Sequence, residues 1–206
     1  MKAYLYILMN YLAHAYLSFD NPDILTGNMI SDFVKGNKKL DFAIGIQNGI
    51  MLHRAIDEFT DNHPATKQAK EFFKKDYRLY AGAFVDIVYD HFLALDKNEF
   101  ANDEALKLFA SKTYQKLENY SAIFPERFGR YFEYMKTQDW LYSYRHTTFI
   151  ERSFEGLTKR ATYITDWKMA CNVFNENYDP LRNCYAHFFK ELKVFSFNRF
   201  SQLLNT

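Results

Sequence analysis

Ala81–Leu95 reads AGAFVDIVYDHFLAL, a stretch that is apolar on nearly every side. A segment of this length with hydrophobic residues all round is a buried helix. Its ionisable exceptions are Asp86, Asp90 and His91, beside the phenol of Tyr89. Asp86 and Asp90 share one helix face at i,i+4. A lone buried carboxylate costs several kcal/mol unless it is paired, protonated or bound to a cation, and two on one buried face also repel each other. A divalent cation resolves both difficulties, so this helix points to an all-α protein with a metal centre in its core.

The composition supports the same class. Seven Gly and four Pro among 206 residues leave little material for tight turns and hairpins. Hydrophobic residues make up 48% and charged residues 25%, which suits a globular chain and excludes disorder. The 21 Phe and 16 Tyr suit an aromatic helical core. Lys plus Arg (26) nearly cancels Asp plus Glu (25), so a nucleic-acid-coating protein is not expected. Two cysteines far apart, Cys171 and Cys184, read as reduced, packed thiols in a cytoplasmic protein. No run of about 18 apolar residues occurs, so no membrane helix is expected. No repeat or linker divides the chain, and residues 1–206 read as a single α-helical domain.

Two further helices repeat the conflict between periodicity and charge. At 100° per residue, the segment 41–61 gathers Phe42, Ile46, Gly49, Ile50 and Ile56 in one sector. Gln47, Met51, Arg54 and Glu58 point away. His53 and Asp57 fall inside the apolar sector four residues apart, with Asp61 near its edge. In the segment 24–34, Asn28 and Asp32 occupy i,i+4 positions among Ile24, Leu25, Met29, Ile30 and Phe33. His14, in an apolar helix near 9–17, is a fourth contributor or else a satisfied core histidine. Mixed imidazole and carboxylate ligands suit Mn, Fe or Zn rather than Ca. The competing reading for His53, Asp57, Asp86 and Asp90 is a buried ion-pair network with Arg or Lys. Asp61 also reads as the cap of the turn before Pro64. HExxH, paired ExxH, GxxxxGK[ST] and GxSxG motifs are all absent, which leaves a helical metallohydrolase.

These residues also carry a resemblance. Met9-Asn10-Tyr11-Leu12-Ala13-His14 is similar to the start of the acyl carrier protein phosphodiesterase family. Gly27-Asn28, Asp32-Phe33 and Gly36-Asn37 resemble its GNxxxDFxxGN segment. His53-Arg54-Ala55-Ile56-Asp57 with Thr60-Asp61-Asn62 and Pro64 resembles its HRxID and TDxxP elements. Asp86 with Asp90-His91-Phe92-Leu93 resembles DxxxDHFL. Trp140-Leu141, Tyr144-Arg145, Phe149-Ile150 and Tyr178-Asp179 follow in order. Residues 1–8 precede the usual start and read as an extension, or Met9 is the initiator.

The resemblance implies an all-α, HD-like phosphohydrolase fold without an adjacent His-Asp dyad. It further implies hydrolysis of the phosphodiester that joins 4′-phosphopantetheine to a serine of holo-acyl carrier protein, with Mn²⁺ (Mg²⁺ and Fe²⁺ being the alternatives). The expected ligands are Asp32, His53, Asp57 and Asp90, with Asp86 and His91 in or beside that set. Lys35, Arg54, Arg145 and Asn28 are candidates for phosphate or substrate contact. A carrier protein is acidic, so its docking face should be basic with apolar interruptions. Lys67, Lys70, Lys74, Lys75 and Arg78, with Phe72 and Phe73 among them, fit that description, and Lys35, Lys38 and Lys39 form a second small cluster. Two other functions compete with this one: a helical phosphohydrolase of small nucleotides or phosphate esters, and a non-catalytic binding module.

Overall fold

The computed structural model describes residues 10–205, and the expectations about residues 1–8 and Met9 lie outside them. Among the described residues there are eleven α-helices and no strand. They are α1 (Tyr11–Tyr16), α2 (Pro22–Ile30), α3 (Ile44–Asn62), α4 (Pro64–Tyr77), α5 (Ala81–Leu95) and α6 (Asp103–Glu118). They continue as α7 (Glu126–Thr137), α8 (Trp140–Ser143), α9 (Thr147–Arg160), α10 (Trp167–Glu176) and α11 (Tyr178–Leu204). No helix among them is long and apolar enough to cross a membrane. Cys171 and Cys184 are both free and buried.

The starts of the helices follow local chemistry. Asn21 accepts from the amides of Asp23 and Ile24, with Pro22 at the first helical position where a missing N–H is harmless. Asn102 caps α6 and Asp166 caps α10 in the same way. His63 closes α3 and opens α4, its Nδ1 accepting from the amide of Ala65 at 3.2 Å. The expected helix over 24–34 stops earlier, at Ile30, and a 3-10 turn over Ser31–Phe33 carries Asp32. The short helix α8 and a 3-10 stretch over Gly36–Asp41 give no periodic signal in the sequence and were not expected.

α5 is the buried axis the sequence indicates, packed by α1, α4, α9 and α11. Its Phe84 joins Phe73, Tyr77 and Phe154 in an aromatic cluster with centroid separations of 4.3 to 5.5 Å. α2 and α3 cross so closely that both contact points are glycine. A Cβ on Gly27 would lie 2.0 Å from the Ile46 carbonyl oxygen, and one on Gly49 would lie 2.4 Å from that of Ile24. No residue with a side chain fits at either point. This crossing sets Asn28 of α2 directly against His53 of α3.

Candidate metal centre

His14, His53 and Asp57 meet where α1, α2 and α3 come together. The two imidazoles stack with centroids 4.0 Å apart and planes 16° apart, and both are almost fully buried. His14 Nε2 lies 3.3 Å from Asp57 Oδ1, and His53 Nε2 lies 3.1 Å from Asp57 Oδ2 and 3.5 Å from Asp32 Oδ1. Asp57 and Asp32 keep 43% and 29% of their side-chain surfaces open, so the carboxylates form the mouth and the imidazoles the floor.

The opposite edges of both rings are held by one residue. His14 Nδ1 lies 2.7 Å from Asn28 Oδ1, and His53 Nδ1 lies 2.7 Å from the Asn28 carbonyl oxygen. The Asn28 amide nitrogen donates to the His14 carbonyl oxygen at 2.9 Å and to Ser18 Oγ at 3.1 Å, which fixes Oδ1 as the atom facing His14. Each imidazole therefore donates from Nδ1 and turns a lone pair outward at Nε2 when neutral. Those two Nε2 atoms are buried without an aligned hydrogen-bond partner.

This donor set fits a metal ion. One ligand atom from each of His14, His53 and Asp57 falls within 4.8 Å of the others. A tetrahedral site with bonds of about 2.1 Å has ligand-to-ligand edges of about 3.4 Å, close to the separations above. An imidazole that ligates through one nitrogen and donates from the other to a carbonyl is the usual support for such a ligand.

The charges within the cluster act strongly on one another. Burial alone would lower the pKa of His53, but the carboxylates of Asp57 and Asp32 outweigh it and raise it above the ordinary imidazole value. Burial, then the neighbouring His53, lowers His14. Burial would raise Asp57, but His53 and His14 beside it hold its carboxyl well below the usual range. Asp86 carries no such partner. Burial pushes its carboxyl up to about 8, with Asp57 and Asp61 adding to the shift and Lys70 opposing it.

The other expected site residues are placed elsewhere. Asp90 is fully buried, and its oxygens accept from the amides of Leu12 and Ala13 at 2.9 and 2.8 Å. Asn10 makes no side-chain cap at the start of α1, so Asp90 performs that task from α5 and thereby sets the position of His14. His91 uses both ring nitrogens, Nδ1 with the Tyr144 carbonyl oxygen at 2.7 Å and Nε2 with the Tyr178 hydroxyl at 3.0 Å. Neither joins the convergent group. Arg145 pairs with Asp103 and the Tyr142 hydroxyl. Arg54 donates to the Val34 carbonyl oxygen at 3.1 Å, next to Lys35, and tethers the segment that carries Asp32. Lys70 pairs with Asp61 at 2.7 Å, and Lys74 with Glu71 at 2.7 Å. His14 is the ligand candidate the sequence undervalues, because it has no second ionisable residue at helical spacing. Asn28, expected at the phosphate, instead orients the two histidines.

An all-helical chain whose core presents two imidazoles and a carboxylate to one point belongs among helical proteins with a candidate mixed histidine–carboxylate metal centre. More specifically, the chain belongs to the acyl carrier protein phosphodiesterase family, whose model matches residues 9–192. It is 30% identical over 184 residues to the acyl carrier protein phosphodiesterase of Salmonella paratyphi A (strain ATCC 9150 / SARB42), covering 89% of this chain and 95% of that protein. It is 30% identical over 191 residues to the enzyme of the same name from Enterobacter sp. (strain 638), covering 93% and 99%. Against the Salmonella agona (strain SL483) protein the identity is 29% over 184 residues, covering 89% and 95%. No solved structure matches the chain at a significant level.

Proposed function

We propose that the protein hydrolyses the phosphodiester between 4′-phosphopantetheine and the serine of holo-acyl carrier protein, releasing apo-acyl carrier protein and 4′-phosphopantetheine, with a divalent cation as cofactor. The observation that carries this reading is the pair of buried Nε2 atoms that converge on Asp57 without an aligned hydrogen bond, in a chain of this family. His14, His53 and Asp57 would hold the cation, with Asp32 beside them. A hard-to-borderline cation such as Mn²⁺ suits two imidazoles and carboxylate oxygens, with Mg²⁺ and Fe²⁺ as alternatives. When bound there it supplies charge neutralisation for the phosphate and makes water a stronger nucleophile.

The chain's own groups do the rest. Asn28 keeps both imidazoles in the tautomer that leaves Nε2 available. Arg54 is tied to the segment that carries Asp32 and Lys35, and these two cations would stabilise negative charge on the phosphate oxygens there. Asp86 would serve as the proton donor: as water's oxygen bonds to phosphorus and the bond from phosphorus to the serine oxygen breaks, the Asp86 carboxyl would give its proton to the departing serine oxygen, and the proton that the attacking water loses would pass to solvent and restore the carboxyl. A carboxyl poised near neutrality is suited to that exchange.

The test is a mass measurement of holo-acyl carrier protein incubated with this protein and Mn²⁺, with an EDTA control and an Asp57→Ala variant. Metal-dependent loss of the whole phosphopantetheine group, absent in the variant, is expected. Intact holo-protein, together with metal-dependent cleavage of a small phosphodiester such as bis(p-nitrophenyl) phosphate, would sink the carrier-protein reading while leaving the metal centre standing.

A further inference from the structure

A groove of about 660 Å³ lies between α4 and the start of α5. Its lining carries Lys67, Lys70, Lys74 and Arg78 against Asp61 and Glu71, four cations against two carboxylates. Lys70 and Lys74 neutralise those two acids, and the side chains of Lys67 and Arg78 make no ion pair among the described residues. At the outer end stands Leu79, 98% exposed, the most exposed of the large hydrophobic residues described.

The exposure of Leu79 is built in. Arg78 adopts φ 46° and ψ −114°, a conformation that side chains strongly disfavour, at the junction of α4 with the 3-10 turn Arg78–Tyr80. The flanking Tyr77 and Tyr80 are both buried, and the Tyr77 hydroxyl donates to the Asp166 carbonyl oxygen at 2.5 Å. Two anchored tyrosines thus hold a strained turn that projects one leucine into solvent among cations. What sets Leu79 apart from the other exposed hydrophobic residues is this fixed turn and the unpaired cations beside it, which together present an apolar contact inside a basic surface.

The groove also shares helices with the candidate site on both of its walls. Asp61 lies four residues after Asp57 on α3, and Gly82 lies four residues before Asp86 on α5. Each pair shares a helix face about 6 Å apart along the axis. Gly82 keeps the groove floor low: a Cβ there would lie 3.2 Å from the Lys70 side chain.

We infer that this groove is the docking strip for the protein substrate, with Leu79 as its apolar anchor and Lys67 and Arg78 as its unneutralised cations. The partner it fits is a helical surface with carboxylates around an apolar socket, docked so that the serine bearing the phosphodiester lies at the site beyond Asp61 and Gly82. This rests on the carrier-protein reading above and adds the surface and the residue that select the partner.

The experiment is a titration of fluorescently labelled holo-acyl carrier protein with the full chain and with Leu79→Asp, alongside steady-state hydrolysis. Leu108→Asp, an exposed leucine on α6, serves as the control. Thermal melts and metal stoichiometry check that each variant is folded and loaded. Leu79→Asp is expected to weaken binding and raise KM about tenfold, with Leu108→Asp unchanged. Equal affinity of Leu79→Asp and the unaltered protein would overturn the docking strip while the substrate assignment stands. Absence of both binding and hydrolysis by the unaltered, metal-loaded protein would overturn the assignment and the strip together.

Discussion

Asn28 Oδ1 sits 2.7 Å from His14 Nδ1, while the carbonyl oxygen of the same residue sits 2.7 Å from His53 Nδ1. A single asparagine thus sets the tautomer of two stacked imidazoles from different helices. Asn28→Ala removes the side-chain half of that arrangement and leaves the buried His14 N–H without a partner. A metal titration should show affinity falling 10- to 100-fold, the usual cost of losing such support. Stability should drop by about 1–3 kcal/mol from the orphaned donor. Asn28→Asp, which keeps the acceptor, should recover part of the affinity. Unchanged metal affinity in Asn28→Ala would show that the orientation of His14 is set elsewhere.

Metal binding should release a proton and strengthen as pH rises. In the metal-free protein His53 holds its proton above the ordinary imidazole range, because Asp57 and Asp32 outweigh its burial, and that proton occupies the nitrogen the metal needs. Calorimetry in buffers of different ionisation enthalpy measures the release directly. The raised value also bears on metal-free stability. Its contribution is full below the ordinary imidazole pKa and fades as pH climbs through the raised folded value. Asp57 works in the opposite sense: its depressed value contributes stability above the ordinary carboxylate pKa, lost as pH falls through the lowered one. These two groups together favour the metal-free fold most between the ordinary carboxylate and imidazole values, and metal should extend stability on the alkaline side. A binding enthalpy independent of buffer would contradict the protonated His53.

Asp86→Asn should trade activity for stability. The folded protein keeps a proton on Asp86 up to about pH 8, whereas the unfolded chain loses it near the ordinary carboxylate pKa. Between those values folding takes up a proton, so this residue makes stability decline as pH rises. Asparagine removes that dependence. The variant should melt a few degrees higher than the unaltered protein at pH 8 and show little difference at pH 4, while turnover falls about 100-fold or more. An unaltered melting difference between the two pH values would mean that Asp86 is ionised in the folded state.

The all-helical class and the long buried α5 were legible in the chain because both rest on periodicity and on scarce glycine and proline. The pairing of His53 with Asp57 was legible for the same reason, since both lie on one face of one helix. What periodicity cannot reveal is which helix faces which. Asp86 and Asp90 look equivalent in sequence, yet the charge of Asp57 acts on Asp86 while the carboxylate of Asp90 caps α1. His14 joins the site through that cap, a contact between residues 78 apart, which no local pattern encodes. Arg145 differs for a simpler reason: Asp103 lies beside it in space and not in sequence.

The position of Asn28 depends finally on the glycine contact beneath it, and this yields the most direct test of how the fold builds the site. Gly27→Ala would place a Cβ 2.0 Å from a backbone oxygen of α3, which no side-chain rotation can relieve. α2 and α3 must separate, at a cost of about 1–3 kcal/mol or more, and Asn28 must move away from His53. Gly129→Ala in α7 is the matched control, because a Cβ there meets nothing within 4 Å and alanine raises helix stability by about 0.5–1 kcal/mol. Urea denaturation should show the two alanines shifting the midpoint in opposite directions. A metal titration should show that only Gly27→Ala weakens binding, since spreading the crossing pulls the His53 N–H off its carbonyl. If Gly27→Ala unfolds at the same urea concentration as the unaltered protein, the close crossing is not what holds His53 against Asn28.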